Sequence, residues 1–147
     1  MNKMEFWISI IVFITLSSCN IDNCSDKLPL DLDYHLFQSI KVEDQSYCDL
    51  VNAAFLQNQK AIRNLSILEI SDFASYQHGV VLITLLDEIS EEKYFPIYKS
   101  LNVEQKKYLI SNLEAGMELL SNKIKYEDIQ SKYPLILEEY NRVADWR

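Results

Sequence analysis

The chain has 147 residues, with 14 Lys and Arg against 22 Asp and Glu, a formal net charge of −8 at neutral pH, and 48% apolar and 12% aromatic residues. An acidic balance of this size argues against direct binding to nucleic acid or to an anionic membrane surface. Only two glycines and three prolines occur, which excludes a low-complexity spacer and argues against a turn-rich β-sandwich or barrel.

Lys3 and the amino terminus make a short cationic start that Glu5 partly cancels, and residues 6–16 form an apolar run interrupted only by Ser9 and Thr15. Small Ser17 and Ser18 follow, then Cys19. A charged start, an apolar run and small residues at a cleavage side are the anatomy of a signal peptide. As a helix, residues 6–18 span about 20 Å, well short of the roughly 30 Å hydrocarbon core. An uncleaved spanning anchor is therefore the weaker reading. The stretch Leu16-Ser17-Ser18-Cys19 resembles the lipobox of bacterial lipoproteins. That resemblance implies that residues 1–18 are removed, that the Cys19 thiol carries a diacylglyceryl group, and that the new amino terminus is acylated as well. An ordinary secretory signal cut near Ser18, with Cys19 incidental, is the alternative. Two or three acyl chains, each methylene contributing about 0.8 kcal/mol, hold a protein at a membrane without spanning it. Asn20 stands where an aspartate would resemble the inner-membrane retention signal of enteric bacteria, which leaves the outer membrane open.

Beyond residue 18 lie 129 residues, enough for one domain with its own core. Cys24 and Cys48 are then an even pair in an exported chain. Joined, they close a loop of 24 residues, worth roughly 3 kcal/mol. Whether their Cα atoms come within about 7 Å is not fixed by spacing, so two free thiols stay open. Residues 19–45, polar and acidic with Pro29, Asp31 and Asp33, read as a lipidated tether, in which Tyr34, Leu36, Phe37 and Ile40 are candidates to dock on the core.

The helical domain is expected over residues 46–147. Leu50, Val51, Ala54, Phe55, Ala61, Ile62 and Leu65 recur at helical spacing and predict one amphipathic helix. A second helix is predicted from an N-cap at Ser71 to near Ser90. Its run of residues 80–86 is apolar all round and rich in β-branched residues, so a buried strand is the alternative. Pro96 is expected to start a short helix rather than lie within one. Asn102 with Gln105 three residues on predicts a capping box for a long helix buried through Leu109, Ile110, Leu113, Met117 and Leu120, with Gly116 allowing close approach of a neighbour. A last helix follows Pro134, with Ile136, Leu137, Tyr140, Val143 and Ala144 on one side, and Trp146 is expected to pack back on the domain. Lys93-Tyr94-Phe95-Pro96 and Lys132-Tyr133-Pro134 echo each other weakly, as two helices each starting at a proline. The fold class is thus an all-α bundle of four or five helices after a short N-terminal tether.

Chemistry-bearing patterns are sparse. His35 and His78 lack partners at metal-site spacing and read as surface or boundary residues. No Gly-rich phosphate loop, nucleophile elbow or HExxH occurs, so no catalytic, cofactor or metal residue is assigned. Asp87, Glu88, Glu91 and Glu92 concentrate four carboxylates at a helix end, with Asp87 and Glu91, and Glu88 and Glu92, one turn apart. Together with Tyr94 and Tyr98 they form the candidate surface for a basic protein partner, since a tyrosine ring buries area while its hydroxyl stays wet. A solvated helix end and a core edged by tyrosines are the plainer readings. The expected function is that of a membrane-anchored envelope lipoprotein, facing the periplasm or exterior and acting as a non-enzymatic binding protein. An inhibitor or immunity factor for a basic envelope-acting enzyme or toxin fits the charge. A structural or assembly accessory of an envelope complex is the alternative, and a hydrolase is the weakest reading.

Overall fold

The computed structural model describes residues 24–28, 32–121 and 126–144. Among them the chain is all-α, with seven helices and one two-residue β ribbon, β1 (Lys41–Val42) and β2 (Gln45–Ser46), paired antiparallel. The helices are α1 (Tyr47–Phe55), α2 (Gln59–Ser66), α3 (Asp72–Ile89), α4 (Glu91–Lys99), α5 (Val103–Ser121), α6 (Tyr126–Lys132) and α7 (Pro134–Ala144).

The segment expected to be a free tether is, from Cys24 on, part of the packed body. Cys24, Leu28, Leu32 and Phe37 are buried in the core, and a 3₁₀ turn at Tyr34–Phe37 stacks the Phe37 ring on Tyr47 at 4.2 Å between centroids. A disulfide joins Cys24 to Cys48, with Cα atoms 4.6 Å apart.

The helix expected to run from Ser46 past Leu65 is two helices. Ser46 caps α1 by accepting from the Asp49 amide. At the other end the Gln57 amide donates to the Ala54 carbonyl at 2.8 Å and the Asn58 amide to the Ala53 carbonyl at 3.1 Å. That pair of bonds is a Schellman stop. Glycine usually fills the left-handed position of this motif, but here it is Gln57, with φ 62°. Asn58 then turns N-cap, its side-chain oxygen accepting from the Ala61 amide at 3.1 Å, and α2 sets off in a new direction.

Residues 80–86 are helical, not a strand, and lie in α3. Val80, Val81, Leu82, Ile83, Leu85 and Leu86 are all buried, so α3 is the centre of the molecule. Cutting one of these leucines to alanine is expected to cost roughly 2–5 kcal/mol. Its most extensive partner is α5, and the contact turns on two glycines. A Cβ on Gly79 would lie 1.9 Å from the Asn112 carbonyl oxygen, and one on Gly116 would lie 2.2 Å from the Gly79 carbonyl carbon. The capping box of α5 is reciprocal: the Gln105 amide donates to Asn102 Oδ1 at 2.9 Å, and the Asn102 amide to Gln105 Oε1 at 3.1 Å.

Pro96 lies inside α4, which starts at Glu91 instead, so the echo between residues 93–96 and 132–134 is not a pair of proline-initiated helices. The proline lacks an amide to donate to the Glu92 carbonyl, a loss the nine-residue helix tolerates close to its exposed face. Helix α6 has no counterpart among the sequence-predicted elements. Its segment carries one aliphatic residue, Ile129, which is fully buried. Helix α7 begins at Pro134 as expected, burying Ile136 and Leu137. The expected packing of Trp146 lies outside the described residues.

Helix directions follow from the ion pairs. The start of α7 meets the end of α3, where Lys132 pairs with Asp87, and one turn further along α7 Glu139 meets Lys106 in the first turns of α5. The end of α3 and the start of α5 therefore lie together, and the two helices run antiparallel through the Gly79–Gly116 contact.

Candidate functional site

The six residues expected to form one partner-facing surface do not do so. Tyr94 and Tyr98 are 0% exposed. They stand one helical turn apart on the inner face of α4, and the same period that turns Glu92 outward turns them into the core. Tyr94 donates to the Ser66 hydroxyl, which in turn donates to the Ile62 carbonyl at 2.7 Å. Burial pushes the hydroxyls of both tyrosines above their ordinary value, and the nearby Glu139 carboxylate adds to this at Tyr98.

Three of the four carboxylates act inside the fold. Asp87 accepts from the Tyr133 hydroxyl at 3.0 Å and from Lys132 Nζ at 2.8 Å. Glu88 pairs with Lys27, whose ammonium also lies 5.8 Å from the Phe55 ring centre. Glu91 caps α7, accepting from the Ile136 amide at 2.8 Å. Partial burial raises the Glu91 carboxyl above its ordinary value against the opposing pull of the Ile136 and Leu135 amides. Glu92 is exposed, held below its ordinary value by its own amide and by the Ser90 hydroxyl. The ion pairs here are half-exposed, so each contributes at most about 1 kcal/mol, and their role is to orient the carboxyl-terminal helices.

His78, expected at the surface or boundary, is 0% exposed. Its Nε2 lies 3.1 Å from the Leu65 carbonyl and its Nδ1 2.7 Å from the Tyr47 hydroxyl. A carbonyl can only accept, so Nε2 carries the proton and Tyr47 donates to Nδ1. With both nitrogens occupied and no route for a reactant, this is a structural histidine. His35 is exposed and bonds to Gln38. A second buried polar set joins Lys106 to Glu139 at 3.0 Å, with Arg142 on the same carboxylate and the Lys106 ammonium 5.4 Å from the Tyr98 ring centre. Desolvation works to raise the Glu139 carboxyl, but the two cations outweigh it and hold the group below its ordinary value.

A surface hollow was not read from the sequence. Glu43, Gln45, Ala53, Asn58, Lys60 and Ala61 line a concavity of about 340 Å³. One wall is the β1–β2 hairpin, whose two loop residues, Glu43 and Asp44, have φ 50° and 67°. The other wall is the Schellman turn at Gln57. Glu43 lines the hollow, with Asp44 and Gln57 next to its lining residues, and Asp72 and Ser90 take the same left-handed region elsewhere in the chain. Glu43 and Lys60 pair across it at 2.5 Å, and Leu56, on the turn that supplies Asn58, is 84% exposed. Neither turn carries the glycine that would have signalled it. No nucleophile with an adjacent base stands among these lining residues.

Among the described residues no group of three or more His, Cys, Asp or Glu is placed to hold a metal ion, and no helix is long and apolar enough to cross a membrane. Cys19 lies outside the described residues. Comparison with protein-family models, with curated proteins and with solved structures gives no match to this chain.

Proposed function

We propose that the chain is a lipid-anchored protein of a bacterial cell envelope that works as a non-enzymatic binding protein, an inhibitor or immunity factor for a basic envelope-acting enzyme or toxin. The observation that carries the location is the Cys24–Cys48 disulfide five residues beyond the lipobox-like Cys19. A disulfide buried in the body of a domain is at home in an oxidising, extracytoplasmic compartment, the address that residues 1–19 specify. The binding surface best supported is the hollow beside Leu56. Leu56, exposed on the turn that leads into the hollow, would serve as an apolar anchor beside the Glu43–Lys60 pair and Asn58, and the net charge of −8 would draw a basic partner toward the domain.

The test is crosslinking and pull-down from intact cells with the full anchored chain as bait. The expected result is a basic secreted protein whose capture falls about tenfold with Leu56→Glu and weakens with Glu43→Lys, while Glu92→Lys leaves it unchanged. Capture of a resident envelope complex instead would favour an assembly role. Recovery of no partner, together with turnover of a wall or lipid substrate, would refute binding. For the anchor, Cys19→Ala is expected to leave a soluble or unprocessed chain.

A further inference from the structure

We infer that the domain rests on the bilayer by the end of the α3–α5 pair that carries Phe73, Leu119 and Leu120, and so presents the hollow beside Leu56 away from the membrane. This rests on the lipid anchor proposed above. The first support is the length of the leash. Cys24 is 3% exposed and held to α1 by its disulfide, and Leu28, Leu32 and Phe37 beyond it are buried in the core. Four residues, 20–23, separate Cys19 from Cys24, so Cys19 stands at most about 17 Å from Cys24. A leash this short keeps the body in contact with the headgroups.

The second support is where the leash leaves the body. Cys48 follows Tyr47, the first residue of α1, whose hydroxyl meets His78. At the far end of α1, Phe55 lies under the Lys27 ammonium that pairs with Glu88. Helix α1 thus runs beside the second half of α3, its start level with His78 and its end, with Leu56, level with Glu88. From His78 the chain of α3 reaches Phe73 in about 8 Å along the helix axis, against about 15 Å to Glu88 in the other direction.

The third support is the chemistry of that nearer end. Because α3 and α5 are antiparallel through Gly79 and Gly116, the start of α3 and the end of α5 lie side by side. Phe73 is 57% exposed, Leu119 37% and Leu120, expected in the buried stripe of α5, 55%, and the Phe73 ring stacks on Tyr76 at 6.5 Å. Aromatic and leucine side chains of this kind favour the membrane interface. Exposed Asp72 and Glu118 flank them and suit a zwitterionic surface better than an anionic one. The acidic end with Asp87, Glu88 and Glu92 points the other way, which removes its charge from the headgroups.

The experiment uses the processed lipoprotein reconstituted in phosphatidylcholine vesicles that contain lipid brominated just below the headgroup. Trp146 is replaced by phenylalanine throughout, and a single reporter is introduced as Leu120→Trp or Leu56→Trp. The expected result is quenching of at least about twofold, with a blue shift, at position 120, and none at position 56. Equal quenching at both positions, or quenching at 56 alone, would overturn the orientation. So would a reporter at 120 that is already blue-shifted without lipid and indifferent to it, since a second copy or another segment of this chain would then cover the patch. Absence of acyl mass on Cys19 and loss from the vesicle fraction would instead refute the anchor, and the orientation with it.

Discussion

Lowering the pH from 7 to 4.5 is expected to destabilise this domain chiefly through one buried side chain, His78. Its complete burial holds the imidazole down at about 4 against an ordinary 6.5, with the Leu65 carbonyl opposing only in part. The unfolded chain therefore takes up a proton at pH values where the folded one does not, and stability falls as the pH does. The contribution of neutral His78 is fully present above pH 6.5, is lost as the pH descends toward 4, and changes no further below that. The linkage relation gives a loss of about 1.4 kcal/mol at pH 5.5 and about 2.6 kcal/mol at pH 4.5, a large part of the roughly 5–15 kcal/mol that holds a typical domain. Glu91 and Glu114, whose carboxyls burial raises, act in the opposite sense, and Glu92 and Glu139, held below their ordinary value, act in the same sense, so the comparison needs a variant that silences only the histidine. His78→Gln supplies it, because an amide can accept from Tyr47 and donate to Leu65 without titrating. Urea unfolding followed by circular dichroism should show the midpoint of the parent chain moving down by about 1–2 M between pH 7 and 4.5, and the variant moving much less. An equal shift in both proteins would refute the reasoning.

Breaking the Cys24–Cys48 bridge by the double change to serine is expected to cost about 3.4 kcal/mol from the closed loop of 24 residues, read as a lower melting temperature that reductant reproduces in the parent chain. Gly116→Ala is expected to cost about 3 kcal/mol or more, because the added methyl meets backbone rather than a movable side chain; a change below 1 kcal/mol in urea unfolding would show that α3 and α5 part easily. Gln57→Gly is expected to stabilise the chain by up to about 1 kcal/mol by relieving the left-handed residue of the Schellman stop, and a loss in the same assay would mean that the glutamine side chain makes contacts worth more than the strain.

The parts of this fold that were legible in the sequence are those where one local rule met no competitor. Asn102 and Gln105 form the capping box their spacing predicts, and Gly116 sits where another helix comes close. The run over residues 80–86 resolves as helix because Phe73 and Tyr76 continue the same element backwards. Elsewhere tertiary packing decided. The period through Ser46 to Leu65 continues across Gln57 as if nothing happened, because the stop is made by backbone bonds and a glutamine in a place where glycine is the usual signal. Helix α6 shows one buried aliphatic residue in seven, too few for a pattern. Tyr94, Tyr98 and His78 look polar in composition and are core in fact, each with its ring inside; the polar atoms of Tyr94 and His78 find partners in distant segments, while the Tyr98 hydroxyl is buried without a hydrogen-bond partner. The hollow beside Leu56 is assembled from two turns that sequence alone did not register.

The clasp made by Asp87 and Glu91 on residues 132–136 has a consequence for the order of assembly. A chain delivered amino end first, from a ribosome or through a translocation pore, presents four neighbouring carboxylates long before Lys132, the Tyr133 hydroxyl and the Ile136 amide emerge to meet them. Until then only Lys27, already emerged and paired with Glu88, offsets the repulsion at the junction of α3 and α4, and Asp87 and Glu91 lack the partners they hold in the finished fold. The last contacts to form are thus supplied by the last residues to arrive, so the domain stays loose for as long as it is being threaded and tightens when threading is complete.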